Sequence, residues 1–145
     1  MSLPADMSKP VMSKPVAVET VLFLDGEVLV RMPIAQYLRD CGYRVLEAAN
    51  VDEAMTILQK PDIQVDVVLS DVETPGPMNG FGFAQWARSV RPGLKIILAA
   101  SPERATHAAT ELCEHGPLLM KPYDPKIVLE HIKRLLAARE RQGGS

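Results

Sequence analysis

Val67-Val68-Leu69-Ser70-Asp71 is an apolar run that closes on a single carboxylate. Two other stretches share its form: Val21-Leu22-Phe23-Leu24 ends in Asp25, and Leu118-Leu119-Met120 ends in Lys121. Apolar runs of this length, bounded by helical patterns, read as strands buried on both faces of a parallel sheet, so the charged residue emerges at the sheet's carboxyl edge. Ligand chemistry in open α/β sheets takes place at that edge. Two carboxylates and an ammonium gathered there suit a divalent cation together with an anionic phosphoryl group.

Around these runs the chain alternates strand and helix signals five times. A helix is predicted from about Glu27 to Cys41, with Met32, Ala35 and Leu38 on its inner face and Gly42 as its stop. Arg44 to Ala48 reads as a second strand, after which Asn50 and Glu53 form a reciprocal cap on a helix whose inner stripe is Val51, Ala54, Met55 and Leu58. The Pro- and Gly-rich loop from Thr74 to Gly80 leads into a third helix capped by Asn79, with Phe83, Ala84, Ala87 and Val90 inward. Lys95 to Ala99 is the fourth strand; Ser101-Pro102 opens a helix running to about His115 and stopped by Gly116. After the short fifth strand, Asp124-Pro125 starts a last helix with Val128, Ile132 and Leu135 at helical spacing. Five βα units with short, right-handed crossovers imply a doubly wound, five-stranded parallel sheet with helices on both faces.

The 145 residues suffice for one domain with one core. Residues 1-18 contain Met7-Ser8-Lys9-Pro10-Val11 followed at once by the same five residues, and read as a disordered N-terminal tail. Residues 19-138 form the folded domain, and 139-145 read as a C-terminal tail. A net charge of -2 with scattered basic residues argues against nucleic acid and anionic membrane as partners. No stretch reaches the length of a membrane span, and Cys41 and Cys113 have no CxxC spacing, so a reduced, cytoplasmic protein is expected.

Residues 19 to 138 resemble the receiver domain of bacterial two-component response regulators. The resemblance rests on Leu24-Asp25-Gly26-Glu27, on Asp71 with Pro75-Gly76-Pro77-Met78-Asn79-Gly80 downstream, on the Lys95 to Ala99 strand, on Lys121-Pro122, and on the Asp124-Pro125 helix start. It implies a flavodoxin-like three-layer sandwich with strand order 2-1-3-4-5, and a signalling module rather than an enzyme. Asp71 is then the phosphoacceptor and Lys121 the phosphate-contacting cation. Asp25, Asp71 and the backbone carbonyl of Glu73 are the expected magnesium ligands, and the Lys121-Pro122 bond is expected to be cis.

Three positions depart from the family pattern. Gly26 stands where a second acid normally reaches the metal, which weakens magnesium binding by one formal charge. Ala100 stands at the switch hydroxyl and Leu118 at the switch aromatic. Ser101 follows Ala100, but its place before Pro102 makes it a helix cap first. His107, His115 and His131 have no partners at ligand spacing and read as solvated helix residues. Trp86 reads as partial surface packing, and Gly80-Phe81-Gly82 as a loop entering a helix rather than a dinucleotide motif.

Asp71 alone reads better as a turn or cap residue. Together with Asp25 and Lys121 it points to a receiver that accepts a phosphoryl group from a histidine kinase or phosphotransfer protein and signals to a downstream protein partner, with a homodimer as one possibility. The alternative is a phosphorylation-independent pseudo-receiver that acts as an interaction module, which Gly26, Ala100 and Leu118 favour. A small-ligand binder of the same fold ranks last, because the first loop lacks the serine, threonine and glycine that such a site needs.

Overall fold

The computed structural model describes residues 18–74, 76–107 and 118–144. Five strands, β1 (Thr20–Leu24), β2 (Arg44–Ala48), β3 (Val67–Asp71), β4 (Lys95–Ala100) and β5 (Leu118–Met120), form one sheet in the order β2-β1-β3-β4-β5. Every pair is parallel, with Leu22 opposite Val68, Val68 opposite Ile96 and Ala99 opposite Leu119. Helices α1 (Val28–Asp40), α2 (Val51–Leu58), α3 (Gly80–Val90), α4 (Pro102–His107) and α5 (Pro125–Gly144) alternate with the strands. The expected order 2-1-3-4-5 is the observed one.

Because successive strand residues point to opposite faces, the sheet divides the core in two. Leu22, Leu24, Val68, Ile96 and Leu98 pack with Ala54, Leu58, Phe81, Phe83 and Ala87 under α2 and α3. Val21, Phe23, Val67, Leu69 and Ile97 pack on the other face with Ile34, Leu38, Val128 and Ile132 of α1 and α5. This two-sided burial explains why β1 and β3 are near-continuous apolar runs.

Helix starts follow the expected caps. Asn50 Oδ1 accepts from the Glu53 N–H at 2.9 Å, and Glu53 reaches back to the Ala49 N–H at 2.7 Å. Asn79 Oδ1 accepts from Gly82 N at 3.0 Å, and Asp124 Oδ1 from Lys126 N at 3.0 Å. Gly80 opens α3 at a close approach: a Cβ there would overlap the Asp71 carbonyl oxygen and come within 2.6 Å of Val72 Cα. A side chain at this position would force the loop carrying Asp71 away from α3.

Three local expectations are corrected. Met32 is 53% exposed, because the buried stripe of α1 is Arg31, Ile34, Ala35 and Leu38, which places Met32 a hundred degrees or so round the helix. Val90, at the last turn of α3, is 43% exposed. The C-terminal segment read as a tail is helical through Gly144. The tail residues 1–17, Pro75, and the continuation of α4 to His115 with Cys113 and Gly116 lie outside the described residues.

Candidate functional site

The parallel sheet places the ends of β1, β3 and β5 side by side across its carboxyl edge, with β4 between β3 and β5. Asp25, one residue past β1, is completely buried. Its Oδ1 accepts the Glu27 N–H at 2.9 Å, and its Oδ2 accepts from Lys121 Nζ at 3.1 Å and from the Tyr123 hydroxyl at 2.8 Å. Asp71 ends β3; its Oδ1 accepts the Glu73 N–H at 3.1 Å and its Oδ2 accepts from Lys121 Nζ at 3.0 Å. Lys121 therefore bridges both carboxylates from strand ends fifty and ninety-six residues away. Its amine also reaches Glu27 Oε1 at 3.4 Å.

The backbone fixes these positions before the side chains meet. Asp25 N donates to Ala48 O at 3.1 Å, Val72 N to Ala99 O at 2.9 Å and Lys121 N to Ala100 O at 2.8 Å, so each functional turn is tied to a neighbouring strand. The Lys121-Pro122 bond is cis, as expected. Arg31 binds the Asp25 carbonyl through Nη1 and Glu47 through Nε at 2.8 Å, holding the first turn against α1 and β2.

Electrostatically the site is a half-buried cation between two buried anions. Burial pushes the Asp71 carboxyl above its ordinary value, against the opposing pull of the Glu73 N–H and Lys121, and Asp25 adds to the rise. For Lys121, burial lowers the affinity for a proton, but Asp71 and Asp25 more than reverse it and hold the ammonium above its usual range. Burial and the Asp25 carboxylate drive the Tyr123 phenol upward, so this hydroxyl stays a donor.

Beside this cluster lies an open cavity of about 480 Å³, lined by Gly26, Glu27, Asp71, Glu73, Thr74 and Lys121. The oxygen donors that line it, Asp71 with the exposed Glu27 and Glu73, suit a hard cation that retains several waters, while Asp25 lies buried behind Lys121 and does not line the space. Gly26 contributes space rather than charge, and among the described residues no group of three metal-ligating side chains is assembled. The donor set is therefore sparse, and it fits an ion shared with substrate oxygens better than one enclosed by protein.

Of the two positions expected to carry the switch, Ala100 lies in the core and Leu118 at its margin. Ala100 is fully buried under α3, and Leu118 packs against the same cluster, so neither presents a polar atom to the cavity. Ser101 Oγ accepts the Arg104 N–H at 3.2 Å and is the α4 cap. Trp86 is half-buried and stacks on Phe83 with centroids 6.1 Å apart, a packing role. His131 is half-buried on α5, and burial lowers its pKa. Tyr123 is a site residue that the sequence reading did not single out. No spacing rule announces it: it follows the cis Lys121-Pro122 bond, where it stands under the Lys121 amine at 5.4 Å and edge-on to Phe23 at 5.4 Å.

Comparisons with known proteins agree with this fold. The family model for the response regulator receiver domain matches residues 21–133. The sensor kinase CckA of Brucella abortus is 30% identical over 127 residues, covering 83% of this chain and 13% of that protein. The two-component response regulator ARR14 of Arabidopsis thaliana is 30% identical over 119 residues, covering 79% of this chain and 31% of that protein. The chain thus spans less than a third of the length of either relative. Among solved structures, the chemotaxis response regulator CheY4 of Vibrio cholerae superposes with a TM-score of 0.71 at 30% identity, covering 82% of this chain and 99% of that one.

Proposed function

Because the chain belongs to the response regulator receiver domain family of two-component signal transduction, we propose that it accepts a phosphoryl group on Asp71 from a histidine kinase or phosphotransfer protein. The observation that carries this reading is Lys121 Nζ, held 3.0 Å from Asp71 and 3.1 Å from Asp25 at the sheet edge. An Asp71 oxygen attacks phosphorus, the bond from phosphorus to the donor imidazole nitrogen breaks, and an acyl phosphate forms while the imidazole leaves. Lys121 offsets charge on the transferring oxygens, and Tyr123 keeps Asp25 oriented. Asp25, Asp71 and the Glu73 carbonyl are the residues to hold magnesium, whose charge would neutralise the phosphoryl oxygens.

The output is a change at the surface around α4, β5 and α5 that a downstream protein partner reads, a second copy of the chain included. The relatives include a sensor kinase and a response regulator, and the reading holds for a receiver in either setting.

The test is direct. The protein is incubated with magnesium and acetyl phosphate, and intact mass is followed for one added phosphoryl group that vanishes in Asp71→Asn. Persistent absence of that adduct, with no magnesium binding by titration, would leave the phosphorylation-independent interaction module in its place.

A further inference from the structure

We propose that Arg104 reads the phosphoryl group on Asp71 in this chain, its guanidinium acting as the anion contact that Ala100 cannot provide. The inference rests on the acceptor reading of Asp71 above. Arg104 Nε is buried without a hydrogen-bond partner, and it is the one side-chain nitrogen or oxygen among the described residues in that condition. A buried donor left unpaired is costly, so an acceptor that arrives in reach is bound strongly.

The position of that donor matters. Arg104 lies in the first turn of α4, just after β4, and it lines a cavity of about 530 Å³ together with Glu73, Ser101, Glu103 and Thr106. Glu73 also lines the cavity that contains Asp71 and Lys121, so the two spaces adjoin through the turn that follows the acceptor. Strand pairing enforces this neighbourhood: Asp71 is opposite Ala99, and Val72 N bonds Ala99 O. The start of α4 is therefore fixed beside the loop that carries the acceptor.

Charge supplies the reason for movement. Lys121 already serves Asp25, Asp71 and Glu27. A phosphoryl group carries about 1.5 to 2 negative charges, which replace the single charge of the Asp71 carboxylate and lie beyond it, further out from the strand end. With Gly26, Ala100 and Leu118 contributing no polar side-chain atom, the adjacent guanidinium is the group equipped to meet them. Its planar fork binds phosphate oxygens in pairs, which a hydroxyl cannot do. Glu73 and Glu103 line the same space and are rival partners. An internal pair with either one would silence the arginine, and Glu103→Gln removes that rival without touching the acceptor. Ala105 packs on the core beside Arg104, so a pull on the guanidinium is felt by α4 as a whole.

The experiment uses the full chain with magnesium and beryllofluoride as a stable phosphoryl mimic, and acetyl phosphate with intact mass for the adduct itself. Arginine Nε signals are followed by nitrogen–proton correlation NMR, with the Arg104 signal identified by its loss in Arg104→Gln. In the wild type that signal shifts and gains exchange protection when beryllofluoride binds. Arg104→Gln still takes one phosphoryl group but binds beryllofluoride about tenfold or more weakly. Arg104→Lys recovers part of the affinity, and Glu103→Gln does not weaken it. A wild type that forms the adduct while the Arg104 signal stays still, with Arg104→Gln binding as tightly, overturns this inference and leaves Asp71 as acceptor. A wild type that neither forms the adduct nor binds beryllofluoride overturns both.

Discussion

Replacing Lys121 by methionine keeps the length of the side chain and removes its charge, leaving Asp25 and Asp71 facing each other with no cation between them. Asp25 is fully buried and the Asp71 side chain is only 9% exposed, so water cannot screen the pair. Removing one partner of such a buried pair costs about 3 to 5 kcal/mol at neutral pH. Most of that is the penalty of two desolvated like charges, and a proton on one of them relieves it. Asp71, which already lies above its ordinary value through burial, is the carboxyl that takes the proton.

A carboxyl whose folded pKa is raised contributes stability below its unfolded value and loses it as pH rises through the folded value. The penalty in Lys121→Met should therefore shrink as pH falls toward 4, by up to about 1.4 kcal/mol per unit for one proton. Urea titrations at pH 7.5, 6.0, 5.0 and 4.5 on both proteins, at constant ionic strength, measure it (about four points suffice for a slope). A loss that is the same at every pH would show that Lys121 acts through its cation over the Tyr123 ring, which it approaches to 5.4 Å, and would refute the account based on the carboxylate pair.

Two further outcomes follow from the same site. Asp71→Asn should raise the urea midpoint at pH 7, by about 1 kcal/mol, since burial disfavours the charged form and Lys121 retains Asp25; the gain disappears as pH falls below the unfolded value near 3.9. A variant less stable than wild type at pH 7 would contradict this. Gly80→Ala should cost about 1 to 3 kcal/mol in thermal unfolding and slow adduct formation, because its Cβ overlaps the backbone of Asp71 and Val72. Unchanged stability and unchanged phosphorylation in that variant would show that the loop yields freely.

Much of the fold was legible because β1 and β3 are buried on both faces and write that burial as unbroken apolar runs. Asp25, Asp71 and Lys121 were legible for the same reason, as single charges at the ends of such runs. Helix α1 was less so: Val28, Leu29, Val30, Met32 and Ile34 are all apolar, so the stripe could be drawn more than one way. What decides it is Arg31, buried through its bonds to Asp25 and Glu47, and that pairing exists only once β2 lies beside β1. Arg104 gave no signal at all, since isolation of its Nε is created by tertiary packing. Gly143 and Gly144, poor helix formers, disguised the reach of α5.

The division of the core by the sheet bears on which changes this chain can absorb. Ala100 and Leu118 belong to the half under α2 and α3, whereas Tyr123, which steadies Asp25, packs into the half under α1 and α5. Side chains on opposite faces share few neighbours, so substitutions on one face combine nearly additively with those on the other. A chain built this way can exchange a hydroxyl for a methyl and a ring for a leucine, refill the space from its own face, and leave the opposite wall of the acceptor untouched. A substitution at Ala100 or Leu118 and one at Tyr123 therefore act on separate halves of the core within one small domain.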